Sequence, residues 1–219
     1  MTSIAVVGGT GPQGRGLAYR FALAGHAVVL GSRDEGRASE KAEEINAKLS
    51  GPVVKGASND DAVAGAEVVL LAVPWDGHAD LVSRLADGLA GKVVISCVNP
   101  LGFDAQGPFG LVLEESAAQE TQRLVPSARV VGAFHHVAAS SLWKTPDALS
   151  HEDVLVCGDD VDAKNLVQDL ASSVTGKWGI DAGALRLARH LEPLTAVLIS
   201  MNKTYKTRSG VAITSVGET

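Results

Sequence analysis

The stretch Gly9-Thr10-Gly11-Pro12-Gln13-Gly14 constrains this chain more than any other. It follows directly on a short apolar run, residues 3–8 (SIAVVG). It opens a segment, residues 11–24, in which Leu17, Phe21 and Ala24 share one helical face and Gly25 closes the helix. A strand that turns through glycines into a helix presents unpaired backbone N–H groups and the positive end of the helix dipole at its exit. In such a loop Gly9 is expected to permit the tight turn, Gly11 to let a phosphate approach the backbone, and Gly14 to let helix and strand pack closely. Pro12 suits the first helical turn, where its missing N–H has no helical partner. The glycine spacing alone is a weak signal, and its place between strand and helix gives it weight.

The rest of the chain repeats the alternation. Apolar runs at residues 26–31, 53–57, 67–73, 92–97 and 129–133 read as strands. Residues 35–49, 60–64, 76–89 and 112–124 read as helices, and the Gly- and Pro-rich residues 99–110 as a loop. Beyond Phe134 the pattern predicts a strand at 154–157, a helix at 163–174, a short strand within 177–181 and a long helix at 184–204 that contains Pro193. Strands alternating with helices imply a parallel sheet with right-handed crossovers. The fold class is therefore α/β: a Rossmann-type doubly wound parallel sheet with a small α/β C-terminal addition. Residues 1–139 are expected to form the dinucleotide-binding part. Residues 140–219 are expected to complete the pocket for a second substrate and to supply a dimer interface.

With 219 residues and 46% hydrophobic side chains the chain can bury a full core. The net charge is −6 and no basic stripe is visible, which argues against a nucleic-acid partner. Cys97 and Cys157 each lie in an apolar run and read as buried thiols, with no metal-ligand spacing around them. No run is long and apolar enough to span a bilayer and no leader precedes the first strand, so small-molecule substrates and a cytoplasmic setting are expected, without a membrane partner.

Two sites on this frame carry the chemistry. Strands of an open α/β sheet bind ligands outside their carboxyl ends. A dinucleotide with a free ribose 2′-OH calls for a carboxylate at the tip of the second strand. That tip reads Gly31-Ser32-Arg33, with Asp34 and Glu35 only after it. Arg33 can make a forked, charge-assisted contact with a 2′-phosphate, Ser32 can add a hydroxyl, Thr10 faces it from the glycine loop, and Arg37 lies one helical turn on. NADP(H) is therefore expected rather than NAD. Arg37 has an alternative, pairing with Glu40 and Glu44 along its own helix. At the nicotinamide end, Pro74, Trp75 and His78 follow the fourth strand and Phe134-His135-His136-Val137-Ala138-Ala139 the sixth. Adjacent side chains in an extended segment point to opposite sides, so the His135–His136 pair is not read as a metal site. His135 is expected as a polar contact in the substrate pocket and His78 beside the nicotinamide. No residues suggest a hydrolytic triad.

The segments GGTGPQGRGLAYRFALAGH, VVLGSR, LLAVPW, GAFHHVAA, VCGDD and DAGALRLARHLEPLT make the chain similar, over nearly its whole length, to the NADP-dependent oxidoreductases of the deazaflavin coenzyme F420. The resemblance implies reversible hydride transfer between C4 of NADPH and C5 of the deazaflavin, with the protein supplying proximity and orientation. By position it implies NADP contacts at Thr10, Gly11, Pro12, Gln13, Ser32, Arg33, Arg37, Pro74, His78 and Ala139. Deazaflavin contacts fall at His135, Val137 and Met201, with orientation of the rings by His135 and His78. It also implies a homodimer, with the 184–204 helix as interface. Two other readings share the N-terminal half. One is an NADPH-dependent carbonyl or imine reductase, which would want a proton donor such as Lys144 or Tyr205. The other is a redox sensor that binds NADP(H) without turnover.

Overall fold

The structure, a computed structural model, describes residues 1–49 and 51–216. Its core is one eight-stranded sheet. Strand β1 (Ser3–Val7) lies at the centre, flanked by β2 (Ala27–Ser32) and β4 (Val68–Leu71). On one side β3 (Val54–Ser58) follows β2; on the other, β5 (Val93–Ser96) and β8 (Arg129–Gly132) follow β4. These six strands are all parallel, with the order reversing at β1. Strand β9 (Leu155–Gly158) then joins β8 antiparallel, and β10 (Ile180–Asp181) runs parallel to β9. Residues beyond 139 thus extend the same sheet.

The central strands are apolar throughout because both faces are covered. In β1, Ile4 and Val6 enter the core under helices α1 (Pro12–Leu23), α2 (Glu35–Asn46) and α8 (Val161–Thr175). Ala5 and Val7 enter the opposite core, under α3 (Asn59–Ala64), α4 (His78–Arg84), α5 (Ala86–Leu89) and α6 (Ala117–Leu124). Cys97 and Cys157 are both buried thiols, as their runs predict, and burial pushes each up to about 12.

Departures from the sequence reading have local causes. Residues 99–110 form a hairpin, β6 (Leu101–Asp104) with β7 (Gly107–Gly110), closed where Asp104 Oδ1 accepts from the N–H groups of Gln106 and Gly107. Helix α6 starts at Ala117 and not at 112, because Ser116 and Gln119 form a reciprocal capping box. The expected helix 76–89 breaks at Leu85 into α4 and α5. The expected helix 184–204 enters through a 3₁₀ turn (Leu185–Leu187) before α9 (Ala188–Tyr205), and Pro193 packs its ring under Gly110 of the hairpin.

A short helix the sequence did not reveal, α7 (Ala139–Lys144), follows β8. It lies tightly on α1: a Cβ added at Gly16 would come within 2.7 Å of Leu142 Cβ. Arg20, 1% exposed, reaches from α1 to the end of α7. It donates to the carbonyls of Leu142 (2.9 Å), Asp147 (2.7 Å), Pro146 (3.1 Å) and Ser141 (3.3 Å). Four carbonyl oxygens thus disperse a buried charge that a single buried carboxylate would otherwise have to balance. Replacing Arg20 by Leu strands several of these acceptors. We expect a loss of about 3 kcal/mol in urea-induced unfolding, the scale of one or two unsatisfied buried groups; an unchanged midpoint would refute this role.

Candidate active site

The carboxyl ends of the parallel strands open on a crevice at the point where strand order reverses, between β1 and β4. The glycine loop forms its floor. Gly8, not Gly9, takes the left-handed turn, with φ of 74°; Gly9 instead packs tightly, its missing Cβ leaving room for Leu30. Gly14 allows α1 onto β4, since a Cβ there would lie 3.2 Å from Ala72 Cβ. Gly11 is different: a Cβ there would meet only Gly8 O, at 3.6 Å, so its outer face is open. That open backbone at the start of α1 is the shape and polarity a pyrophosphate needs.

Two cavities meet at the loop and share Gly11, Ala72, Val73 and Pro74. The smaller, about 400 Å³, is lined by Thr10, Ser32, Arg33 and Arg37 among others. Asp34, also in this lining, caps α2, its Oδ1 accepting from Arg37 N–H at 3.0 Å. The alternative role for Arg37 also recedes. Glu44 pairs with Arg15 and Lys41, and Glu40 with Lys41, so among the described residues Arg33 and Arg37 make no ion pair. This end of the crevice carries two uncommitted guanidinium groups.

The larger cavity, about 960 Å³, holds Pro12, Gln13, His135, Val137 and Ala139 of the expected contacts. Its wall after β8 is a turn and not an extended segment, so His135 and His136 both face the cavity. Phe134, fully buried, sits at φ of 63°, a conformation that costs a bulky residue energy and persists only where neighbours enforce it. The neighbours are visible. Gln13 Nε2 donates to Phe134 O (3.2 Å), while Asn99 Nδ2 (2.9 Å) and Thr195 Oγ1 (2.7 Å) both donate to His135 O. Helix α1, the end of β5 and helix α9 thus grip one turn.

His135 is 2% exposed, and neither ring nitrogen has a partner. Burial, reinforced by His136, lowers its pKa to about 3. It is neutral at physiological pH, a lining residue of the cavity whose one donor and one acceptor nitrogen are buried without a partner. His136 is anchored by a hydrogen bond to Asp153 O at 2.9 Å, and burial lowers its pKa as well. Among the described residues no group of three or more His, Cys, Asp or Glu is placed to hold a metal ion.

Two expected contacts are corrected. His78 does not face the crevice. Helix α4 turns it inward, 1% exposed, where Nδ1 meets Glu120 Oε2 (2.8 Å) and Nε2 meets Thr121 Oγ1 (3.1 Å). Trp75 stacks on its ring at 5.4 Å, so His78 fixes the wall and does not touch what lies against it. Met201, 41% exposed, lies outside the cavity lining. Helix α9 presents Thr195, Leu198, Ile199 and Asn202 instead, the i, i+3, i+4, i+7 face. That periodic face was readable in the sequence, whereas the roles of Asn99 and Thr195 depend on the turn at Phe134. Glu192, on the same helix, was also missed. It is 2% exposed and caps α6 by accepting from the N–H groups of Ala117 (2.9 Å) and Ala118 (3.1 Å). Burial pushes it up to about 7 against the pull of those two amides.

Fold and site together define a dinucleotide-binding α/β protein with room beside the dinucleotide for a second ligand. Residues 3–100 match the family described as NADP oxidoreductase, coenzyme F420-dependent. The chain is 36% identical to the F420-dependent NADP reductase of Methanothermobacter thermautotrophicus, over 98% of this chain and 96% of that protein. It is 34% identical to the enzyme of the same name from Methanocaldococcus jannaschii, over 97% and 98% respectively. The crystal structure of a candidate F420-dependent NADP reductase from an Arthrobacter species superposes with a TM-score of 0.82, at 31% identity, covering 97% of this chain and all of that one. The chain belongs to the F420-dependent NADP reductase family.

The neutral state of His135 has a consequence for stability. Unfolded, the ring would titrate near 6.5; folded, only near 3. Between these values the unfolded chain binds a proton that the folded chain refuses, so stability falls as pH drops from about 6.5. Glu192 acts in the opposite sense over about pH 4.5 to 7, because its folded pKa is raised. The difference between wild type and His135→Gln isolates the histidine. Its unfolding free energy should fall less steeply from pH 7 to pH 5 than that of wild type, and parallel curves would show that His135 titrates alike in the folded and unfolded chain.

Proposed function

We propose that this protein transfers a hydride reversibly between NADP(H) and the deazaflavin coenzyme F420. The observation that carries the reading is the pair of joined cavities at the glycine loop. One ends in two unpaired arginines, and the other is largely apolar around a neutral, unpartnered His135. When both are bound, the reaction moves a hydride between nicotinamide C4 and deazaflavin C5.

The chain's own residues bind, orient and exclude water. The backbone at Gly11, Pro12 and Gln13 cradles the pyrophosphate, and Arg33 with Arg37, Ser32 and Thr10 takes the 2′-phosphate. Pro74 and Ala139 flank the bound dinucleotide. His135 and Val137 face the second ring system, and the neutral imidazole offers a hydrogen bond without adding charge beside the transferring hydride. Gln13, Asn99 and Thr195 hold that turn in register. A hydride step needs no general acid; of the two donors that imine reduction would want, Tyr205 is 72% exposed and outside the lining, and Lys144 is an exposed residue of the lining.

The proposal extends to a homodimer. Helix α9 leaves Val197 (54% exposed), Met201 and Tyr205 on one outward stripe, apolar surface of the kind a partner covers. A second copy seated there would bring Met201 to an interface. We expect light scattering to give twice the chain's mass, and Val197→Glu to halve it; a monomeric wild type would refute the dimer. Among the described residues no helix is long and apolar enough to cross a membrane.

The reaction is tested by mixing protein, NADPH and oxidised F420 without oxygen and following loss of the deazaflavin's visible absorbance. Bleaching is expected with NADPH and far less with NADH. Arg33→Ala should weaken NADPH binding about 10- to 100-fold, the scale of one or two charge-assisted hydrogen bonds, while leaving NADH nearly unchanged. Equal losses for both dinucleotides would remove Arg33 from the 2′-phosphate, and no bleaching by wild type would discard the reaction.

A further inference from the structure

The C-terminal segment returns to the crevice. At the end of α9, Lys206 takes a left-handed turn (φ 50°) that reverses the chain. Ser209 then docks on α9, its N–H donating to Asn202 Oδ1 (2.5 Å) and its hydroxyl to the same oxygen (2.9 Å). Further on, Val211 O accepts from Asp153 N–H (2.7 Å), and Ile213 N–H donates to Asp153 Oδ2 (2.8 Å). Asp153 is also paired with Lys177, and its carbonyl holds His136. The segment is a fastened strap, and Ser209 and Asn202 both line the larger cavity.

The strap holds one charge against a residue of that cavity's lining. Arg208 Nε donates to Ser140 Oγ at 2.7 Å, across to α7, where Ser140 and Lys144 are lining residues. This single bond uses one of the five N–H groups of the guanidinium. Lys144 and Arg208 are both exposed, and among the described residues neither makes an ion pair. In a chain of net charge −6, Lys144 lines this mostly apolar cavity and Arg208 is bonded to Ser140, another of its lining residues. They do not belong to the NADP phosphates, because Arg33 and Arg37 occupy the other cavity, beyond the glycine loop.

We propose that Lys144 and Arg208 form an anion-binding rim that takes the negatively charged side chain of the second substrate, a phosphate- or carboxylate-bearing extension of the deazaflavin, while the apolar interior takes its ring. This rests on the reading of the larger cavity as the deazaflavin site. The strap is then a specificity element: it separates a charged deazaflavin from an uncharged one carrying the same ring. Arg208 contributes the planar fork suited to phosphate, and Lys144 a point charge from the facing helix.

The test is a fluorescence titration of the full chain with F420 and with the same deazaflavin ring lacking the charged side chain. It is run for wild type, Lys144→Gln and Arg208→Gln, at low and high salt. Each substitution should weaken F420 binding about five- to tenfold at low salt, less at high salt, since exposed charges are screened. The uncharged deazaflavin should bind wild type and variants alike, and NADPH affinity should not move. Unchanged F420 affinity in both variants, or equal losses for the two deazaflavins, overturns the rim while leaving the deazaflavin site standing. Failure of wild type to bind either deazaflavin overturns both.

Discussion

The crevice depends on how helix α1 holds the segment that follows β8. The N-terminal turn of α1 presents the open backbone at Gly11, and Gln13 in the same turn grips Phe134 O. One turn on, Gly16 admits Leu142, and a further turn on Arg20 gathers four carbonyls from the end of α7 and the loop beyond. One helix therefore positions both the dinucleotide loop and the wall of the second cavity. Hydride transfer needs two rings held at near-contact distance and fixed angle, and a rigid body shared by both sites supplies this directly. The buried guanidinium is well suited to the task, because its fork satisfies several carbonyls at fixed directions where a lysine would offer a point charge.

Charge is distributed with the same economy. The chain is acidic overall, yet cations without an ion pair among the described residues stand at both cavities: Arg33 and Arg37 line the smaller, Lys144 lines the larger, and Arg208 bonds Ser140 of the larger one's lining. Three carboxylates of the smaller cavity's neighbourhood are occupied, Asp34 capping α2 and Glu40 and Glu44 pairing with Lys41 and Arg15, while Asp76 lines the same cavity without a partner among the described residues. Between these cations the lining is largely apolar, and His135 is held uncharged by burial. Cations at both cavities with a largely apolar lining between them are the arrangement that the proposed binding of two anionic cofactors calls for.

The parts of this arrangement that the sequence makes legible are those encoded locally. The apolar strands, the glycine loop and Ser32-Arg33 at the tip of β2 each rest on a few adjacent residues and a known period. The misreadings share a cause, which is that side-chain direction depends on helix phase and tertiary contact. His78 follows the fourth strand as a ligand contact would, but the left-handed Gly77 starts α4 so that its ring turns toward Glu120 and Thr121. Met201 is two residues from Ile199 and one from Asn202, and the helical period carries it off the lining face. Arg20, Asn99, Thr195 and Glu192 act across sequence separations of 36 to 127 residues. Their partners are backbone groups with no side-chain signature, so no local pattern could have announced them. The positive φ of Phe134 was equally hidden, because a phenylalanine in a buried run reads as core, and it is core as well.

That strained turn also explains why the second cavity needs so many distant supports. A bulky residue held at positive φ relaxes unless its neighbours over-determine it. Here Gln13, Asn99 and Thr195 act on two consecutive carbonyls from three separate elements, while Phe134 packs edge-on against Phe21 of α1 at 5.8 Å. The result is a turn in which His135 and His136 face one space together, an orientation that an extended segment forbids. His136 is spent on Asp153, the residue that also fastens the C-terminal strap, so the turn and the strap meet at one anchor. Both nitrogens of His135 stay buried and without a partner. The strained turn at Phe134 thus seats a neutral imidazole in the wall of the second cavity, and the strap, through Asp153, is fastened to that same wall.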